Sequence, residues 1–107
     1  MTITLLPVVA AELGNAKLLN ELWPKTYQSY LRTPFNVLAE TPSNDATNFI
    51  TGAGGLLQQV IYGYTGLRLT EDGLAKKFSP FLPSSVKKLR LKNFRVRSKV
   101  FDFEVQQ

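Results

Sequence analysis

A chain of 107 residues, 44% of them apolar, is one domain or part of one and long enough to bury a single core. It contains no cysteine and no histidine, which excludes disulfides, thiolate nucleophiles, Ser-His-Asp triads and Cys or His metal sites, and leaves acid-base chemistry to Asp, Glu, Lys or Tyr. The net charge of +5 is unevenly placed: residues 1–75 carry four basic and six acidic groups, whereas residues 76–107 carry nine basic and two acidic.

Residues 2–13 are apolar on nearly every side, the pattern of a helix buried between neighbours. Met1-Thr2 supplies no positive n-region and Glu12 stands where small residues would precede a cleavage site, so this is not a signal peptide. The stretch is also far short of the roughly 20 apolar residues that span a bilayer. The chain reads as soluble, with no membrane partner. Pro7 is tolerated in a first turn capped by Thr4. Gly14-Asn15 ends this helix and caps the next, in which Leu19, Leu22, Trp23, Thr26, Tyr27 and Tyr30 recur at spacings of three and four. Pro24 should kink or restart that helix. The expectation is two antiparallel helices joined by a two-residue turn.

Arg32-Thr33-Pro34 stops the second helix, because a residue before proline is pushed out of helical torsions. A polar loop of about fifteen residues follows, a length that is uncommon without a function or disorder. Thr51 to Tyr62 then reads as a third helix with Leu56, Leu57, Val60 and Ile61 on its apolar face and Gly63 closing it. After Gly66 the period changes to two. Leu67-Arg68-Leu69 is a short strand, Glu71-Asp72-Gly73 a turn, and Pro80 to Pro83 a rigid connection. The alternations at 88–92 and 101–105, with a turn at Arg97-Ser98-Lys99, are strands of an antiparallel sheet with one buried face. Lys88, Arg90 and Lys92 fall together on its solvent face, where lysines guard an edge against pairing. No exposed aromatics are interleaved with them to stack bases, so no nucleic-acid partner is expected. The fold class is α+β, a helical segment at 1–66 containing an active-site loop at 33–55, then a small β domain at 67–107.

Glu40 is the candidate catalytic carboxylate. It lies between apolar Leu38-Ala39 and a polar turn, where it either reaches a ligand partly desolvated or is a solvated loop glutamate. The run Thr51-Gly52-Ala53-Gly54-Gly55 opens a helix, and its free N–H groups could hold an anion or a substrate oxygen. Close packing against a neighbouring helix accounts for the glycines equally well. The run is neither a Rossmann fingerprint, since Leu57 takes the third glycine position, nor a Walker loop. Trp23, Tyr27 and Tyr30 sit at core spacing, which favours core over sugar stacking.

The run from Pro34 to Leu69, above all Asn48-Phe49-Ile50-Thr51-Gly52-Ala53-Gly54-Gly55 and Gly63-Tyr64-Thr65-Gly66-Leu67-Arg68, resembles the C-terminal part of family 65 of the glycoside hydrolases. That family includes acid trehalases, kojibiose hydrolases, the glucosidase of glucosylgalactosyl-hydroxylysine, and disaccharide phosphorylases. The ending from Leu82-Pro83 through Leu89, Val96-Arg97 and Phe101 to Val105 is similar as well, so the resemblance covers nearly the whole chain.

The resemblance implies the last helices of an (α/α)6 barrel followed by a small C-terminal antiparallel β-sheet. It implies an inverting α-glucoside hydrolase with Glu40, in its Leu-Ala-Glu-Thr context, as general base, and with Thr51, Gly52, Gly54 and Gly55 at the substrate. It implies no cofactor and no metal. Phosphorylases of the family bring a histidine to the glycine loop where this chain has Phe49, which favours the hydrolase branch over a phosphorylase fragment. A departure is Ser98, where the family often has glycine in the hairpin turn. An inverting glycosidase needs two carboxyl groups about 6.5–9.5 Å apart, and the resemblance supports neither Asp45 nor Asp72 as the second. Met1 therefore reads as an internal methionine, the start of a fragment. The partners expected are an α-glucoside and either the rest of the barrel or a second copy held through the apolar helices. A non-catalytic sugar-binding or partner-docking module is the alternative of another class.

Overall fold

In the computed structural model, which describes residues 2–44 and 46–107, three helices precede two antiparallel ribbons. A 3-10 turn at Thr2–Thr4 leads into α1 (Leu6–Glu12). Leu5 occupies the cap position without a side-chain bond, and Pro7 sits in the first turn, where its missing N–H is no loss. Thr4 is therefore not the cap expected of it. It is buried instead, for a reason that appears in the third helix. Gly14 turns the chain at φ +62°, and the Asn15 side chain accepts from the Leu18 N–H at 3.0 Å to open α2 (Ala16–Lys25). Pro24 ends α2 rather than kinking a longer helix, so Tyr27 and Tyr30 lie in the turns beyond it.

Two residues of strand on either side of a tight turn, β1 (Leu31–Arg32) and β2 (Val37–Leu38), pair antiparallel, the first at the expected end of the second helix and the second within the segment read as loop. The third helix, α3 (Ile50–Gln58), runs on into a π-helical segment, Gln59–Tyr64. Its buried row is Gly52, Gly55, Gln59 and Gly63, not the leucine face expected from periodicity. A Cβ on Gly55 would fall on the Thr4 hydroxyl and lie 2.7 Å from the Thr4 Cβ; one on Gly63 would lie 3.2 Å from the Val8 Cα. Glycine here lets the helix backbone seat against α1 and the turn before it. Leu57 faces outward, 61% exposed. The helix ends at Gly66 rather than Gly63. Gly66 takes φ +73°, its N–H returns to the Tyr62 carbonyl at 3.1 Å, and a Cβ there would collide with the Phe78 carbonyl.

The core lies where these helices meet the C-terminal part: Ala10, Ala11, Leu19, Tyr64, Leu82 and Val105. Tyr64 is central. Its ring meets Trp23 edge-on at 5.6 Å, and its hydroxyl donates to the Gln59 Oε1 at 3.1 Å. Burial, and secondarily the nearby Tyr27, raise the Tyr64 phenol well above its ordinary value, so it stays protonated. The Gln59 Nε2 is buried with no partner among the described residues. Arg68 ties three elements together, pairing with Glu12 at the end of α1, donating to the Tyr62 carbonyl at 2.8 Å, and lying 4.8 Å over the Phe78 ring.

Beyond Gly66 the expected single sheet is two separate two-stranded ribbons. One is β3 (Leu67–Thr70) with β4 (Gly73–Lys76), the latter unmarked by any alternation in the sequence. The other is β5 (Lys88–Val96) with β6 (Lys99–Gln106), joined by the two-residue turn Arg97-Ser98. Positive φ in that turn falls on Arg97, at +55°, and not on Ser98. A bulge between Leu91 and Phe94 sets Lys92 and Asn93 against Asp102, whose carboxylate accepts from the Asn93 N–H at 2.9 Å. Gln107 fastens this ribbon to the proline connection through the Pro83 carbonyl at 2.8 Å.

The solvent face of β5 is laddered to Glu104, which accepts from Arg90 at 2.7 Å, Gln106 at 2.6 Å and Lys88 at 3.2 Å. Hydrogen bonds from Arg90, then Gln106 and Lys88, hold its carboxyl down at about 2 against an ordinary 4.5. A depressed carboxyl stabilises the fold fully above its unfolded value and loses that contribution as pH falls through its folded value. Acid titration followed on ribbon amide resonances should thus leave the hairpin intact at pH 4.5 and loosen it towards pH 2. Because the group faces solvent, added salt should blunt the effect. In the helical part, Gly55→Ala should cost about 1–3 kcal/mol of unfolding free energy through overpacking on Thr4. An unchanged urea midpoint would show that Thr4 has room to move.

Candidate active site

Glu40 follows β2 directly, after Ala39, whose N–H bonds the Tyr30 carbonyl at 2.8 Å. The loop that holds it is closed by its own backbone, since the Glu40 N–H donates to the Ala46 carbonyl at 3.0 Å. The staple of that loop is Arg32, the last residue of β1. Its Nη1 donates to the Ser29 and Leu31 carbonyls at 3.0 and 3.2 Å. Its Nη2 donates to the carbonyls of Thr41, Pro42 and Asn44 at 3.1, 2.9 and 2.9 Å. One planar guanidinium thus gathers carbonyls from both sides of the hairpin, a task its fork of fixed donors suits and a lysine's point charge does not. Sequence reading treated Arg32 only as the end of a helix. An arginine just before a Pro-, Ser- and Asn-rich loop, whose turns leave carbonyls unpaired, is the mark that identifies it.

The Glu40 carboxylate is exposed, with a single long contact among the described residues, the Asn44 Nδ2 at 3.4 Å from its Oε2. Asn44 also accepts from the Thr41 N–H at 3.3 Å, so the loop is cross-braced beneath the carboxylate. The start of α3 lies beside this hairpin because the Phe49 N–H donates to the Leu38 carbonyl at 3.0 Å, two residues before Glu40. Phe49 caps α3 without a side-chain acceptor, so the first-turn amides have no side-chain partner. Among the expected substrate residues, Thr51 and Gly54 are exposed, and a Cβ on Gly54 would meet nothing within 4 Å. Gly52 and Gly55 are buried on the packing side. The glycine cluster therefore divides: the alternative of close packing holds for Gly55, while Thr51 and Gly54 stay open on the surface. Asn36, Val37, Asn48, Phe49, Ile50 and Ala53 line an open cleft of about 360 Å³ between the hairpin turn and the helix start. Glu40 stands outside that lining. Asp72 lies in the turn between β3 and β4, and Asp45 is outside the described residues.

Trp23 packs on Tyr64 with one edge and on Tyr27 at 5.1 Å with another. Together with Leu38, Ala53, Leu56, Leu57 and Val60, these two aromatics also wall an open apolar groove of about 480 Å³. The core assignment for Trp23 and Tyr27 is thus half the account, because each is only partly buried. A second apolar face runs along α1, where Leu5, Leu6, Val9 and Leu13 are exposed.

Removing the staple should release the loop. In Arg32→Ala, amide hydrogen exchange at Glu40 should speed up by about tenfold as the charge-assisted bonds to the loop carbonyls are lost, while amides of α2 keep their protection. Arg32→Lys should fall between, and equal protection in all three proteins would remove Arg32 from this role.

No protein-family model matches the chain. Among curated proteins it is similar to a protein-glucosylgalactosylhydroxylysine glucosidase of Dictyostelium discoideum, 32% identical over 95% of this chain and 14% of the relative. It is likewise similar to a kojibiose hydrolase of Mucilaginibacter mallensis, 33% identical over 85% of this chain and 13% of the relative. A cell wall acid trehalase of Arthroderma benhamiae is 35% identical over 64% of this chain and 7% of the relative. The chain thus spans at most about a seventh of the length of these three relatives. Identity at this level along most of the chain, with enzymes of three different names, reflects common descent, and the chain is similar to one short segment of each.

Proposed function

We propose that this segment is part of an inverting α-glucoside hydrolase of glycoside hydrolase family 65, with Glu40 as its general base. The observation that carries the reading is an exposed carboxylate on a loop whose backbone is fixed from both sides by Arg32 and by its own closing bond. A base must meet its water within hydrogen-bond reach, so its geometry matters as much as its identity. In the inverting reaction Glu40 takes a proton from a water on the face of the sugar opposite the leaving group, as an acid supplied from elsewhere protonates the glycosidic oxygen. Thr51 and Gly54, open at the start of α3, would face the sugar, and the Ile50 and Thr51 amides, which precede the amides bonded to the Phe49 carbonyl, would meet its oxygens. Gly52 and Gly55 would serve the site by seating the helix. The names of the relatives, a glucosidase, a kojibiose hydrolase and a trehalase, support a glucoside as substrate.

The helices of this chain would then be the last of an (α/α)6 barrel. The apolar groove along Trp23 and Leu57 and the exposed face of α1 support that reading, since apolar patches of this kind mark surfaces that pack against something else. In the barrel the preceding helices would cover them.

In a complete enzyme containing the segment, Glu40→Gln should lower kcat by roughly 10²–10⁴-fold with KM little changed. Azide, which needs no deprotonation, should restore turnover in the mutant and give the β-glucosyl azide from an α-glucoside. Wild-type kcat for Glu40→Gln in phosphate-free buffer would remove Glu40 from the mechanism. A wild-type reaction that requires phosphate and forms β-glucose 1-phosphate would place the segment in a phosphorylase instead.

A further inference from the structure

The tips of the two ribbons in the β part of the chain face each other. The turn between β3 and β4 and the turn between β5 and β6 are tied together by Arg97, whose Nη2 donates to the Glu71 carbonyl at 2.7 Å. Between them lies a crevice of about 340 Å³, within the range of about 300–1,000 Å³ usual for small-molecule sites. Its floor is apolar, formed by Leu74, Val96 and Phe101, each only partly buried. Its rim carries Asp72, Ser98 and Lys99. Among the described residues these three side chains make no hydrogen bond or ion pair, although a carboxylate, a hydroxyl and an ammonium share one rim. They contrast with the solvent face of the same ribbon, where Glu104 takes up Arg90 and Lys88.

We propose that this crevice is a binding site for a neutral saccharide unit, a single pyranose or the end of a longer glycan. The rim offers a full acceptor in Asp72, a full donor in Lys99 and both in Ser98, which are the partners that vicinal hydroxyls require. The floor offers an aromatic ring and two branched aliphatic chains, a match for the C–H face of a pyranose. The rim sets one carboxylate beside two cations, Lys99 and Arg97, so an ion of either sign meets a like charge there. Asp72 opposes a phosphate or carboxylate, and Lys99 with Arg97 opposes a cation. A ligand that is polar at its edges, apolar on its face and uncharged satisfies all of these groups together. The proposal uses none of the residues assigned to glucoside hydrolysis, and it stands on the crevice alone.

Saturation-transfer NMR on the full chain, with methyl α-D-glucopyranoside as the probe and inorganic phosphate as a competitor, tests the site. Asp72→Ala and Lys99→Ala change exposed turn residues, and circular dichroism should confirm that both variants keep the fold. The expected result is saturation of the ring C–H protons by the wild-type chain. Each variant should bind about tenfold more weakly, the loss that follows from one charge-assisted hydrogen bond. Phosphate should fail to displace the sugar. Absence of transfer to the wild-type chain would overturn the proposal. So would undiminished binding by both rim variants, or displacement by phosphate, which would make the crevice an anion site.

Discussion

The close seat of the third helix on α1 is the contact on which the rest of this structure depends. It is made by backbone rather than by side chains. Gly55 leaves room for Thr4 and Gly63 leaves room for Val8, and the helix approaches nearer than any larger residue would permit. Once the small residues face inward, the large ones at Leu56, Leu57 and Val60 have to face the other way. The π-helical segment follows from the same seat. Gln59 and Tyr64 are hydrogen-bonded to each other although five residues apart, and in an α-helix that spacing would put them about 140° apart around the axis. The wider π winding brings both to the buried side. Tyr64 can then fill the space among α1, α2 and the proline connection, and it carries the core into the β part of the chain.

That seat also explains where sequence reading succeeded and where it did not. Gly14-Asn15, the alternations in β5 and β6 and the turn read at Arg97-Ser98-Lys99 are local features and were legible, although Lys99 proves to be the first residue of β6. The inward face of α3 was not. Periodicity identifies which residues are apolar and assumes that this chain buries them, whereas here the glycines take the inside and the leucines line an open groove. Thr4 was misread for a related reason. Its capping chemistry was visible in the sequence, but the Gly55 socket that holds it is about fifty residues away. Strand β4 lacks alternation because Gly73-Leu74-Ala75-Lys76 is only half buried, and it pairs as the return arm of a hairpin, not as a face of a larger sheet.

The β part depends on the helices more than its own pairing suggests. Two-stranded ribbons are marginal in water by themselves. Each is anchored at a point where it meets the helical core. The β3–β4 ribbon follows Gly66 and is held through Arg68 to Glu12 and the Tyr62 carbonyl. The β5–β6 ribbon sends Val105 into the core and Gln107 onto the proline connection. The Ser84 N–H, bonded to the Asn20 side chain at 2.7 Å, fixes that connection to α2. The bridge from Arg97 to Glu71 joins the ribbons at their far tips, which gives the crevice between them defined walls.

Glu40 owes its setting to a division of labour between charge and backbone. A short polar loop exposes several carbonyls that cannot all be met by amides of the same loop, and the guanidinium of Arg32 meets them from below at distances of 2.9 to 3.1 Å. The cation thereby orders the loop without pairing with the glutamate. A carboxylate that had recruited the arginine directly would be shielded from a substrate water and held in a salt bridge. In the arrangement found, Glu40 makes one long contact among the described residues, to Asn44, and is exposed. Order in the backbone together with freedom at the carboxylate is the combination that the role proposed for Glu40 would require, because the cost of positioning would be met in folding and not at the moment of reaction. The same reasoning assigns different work to neighbouring glycines. Gly55 seats the helix on Thr4, and Gly54, one residue earlier, is open to solvent.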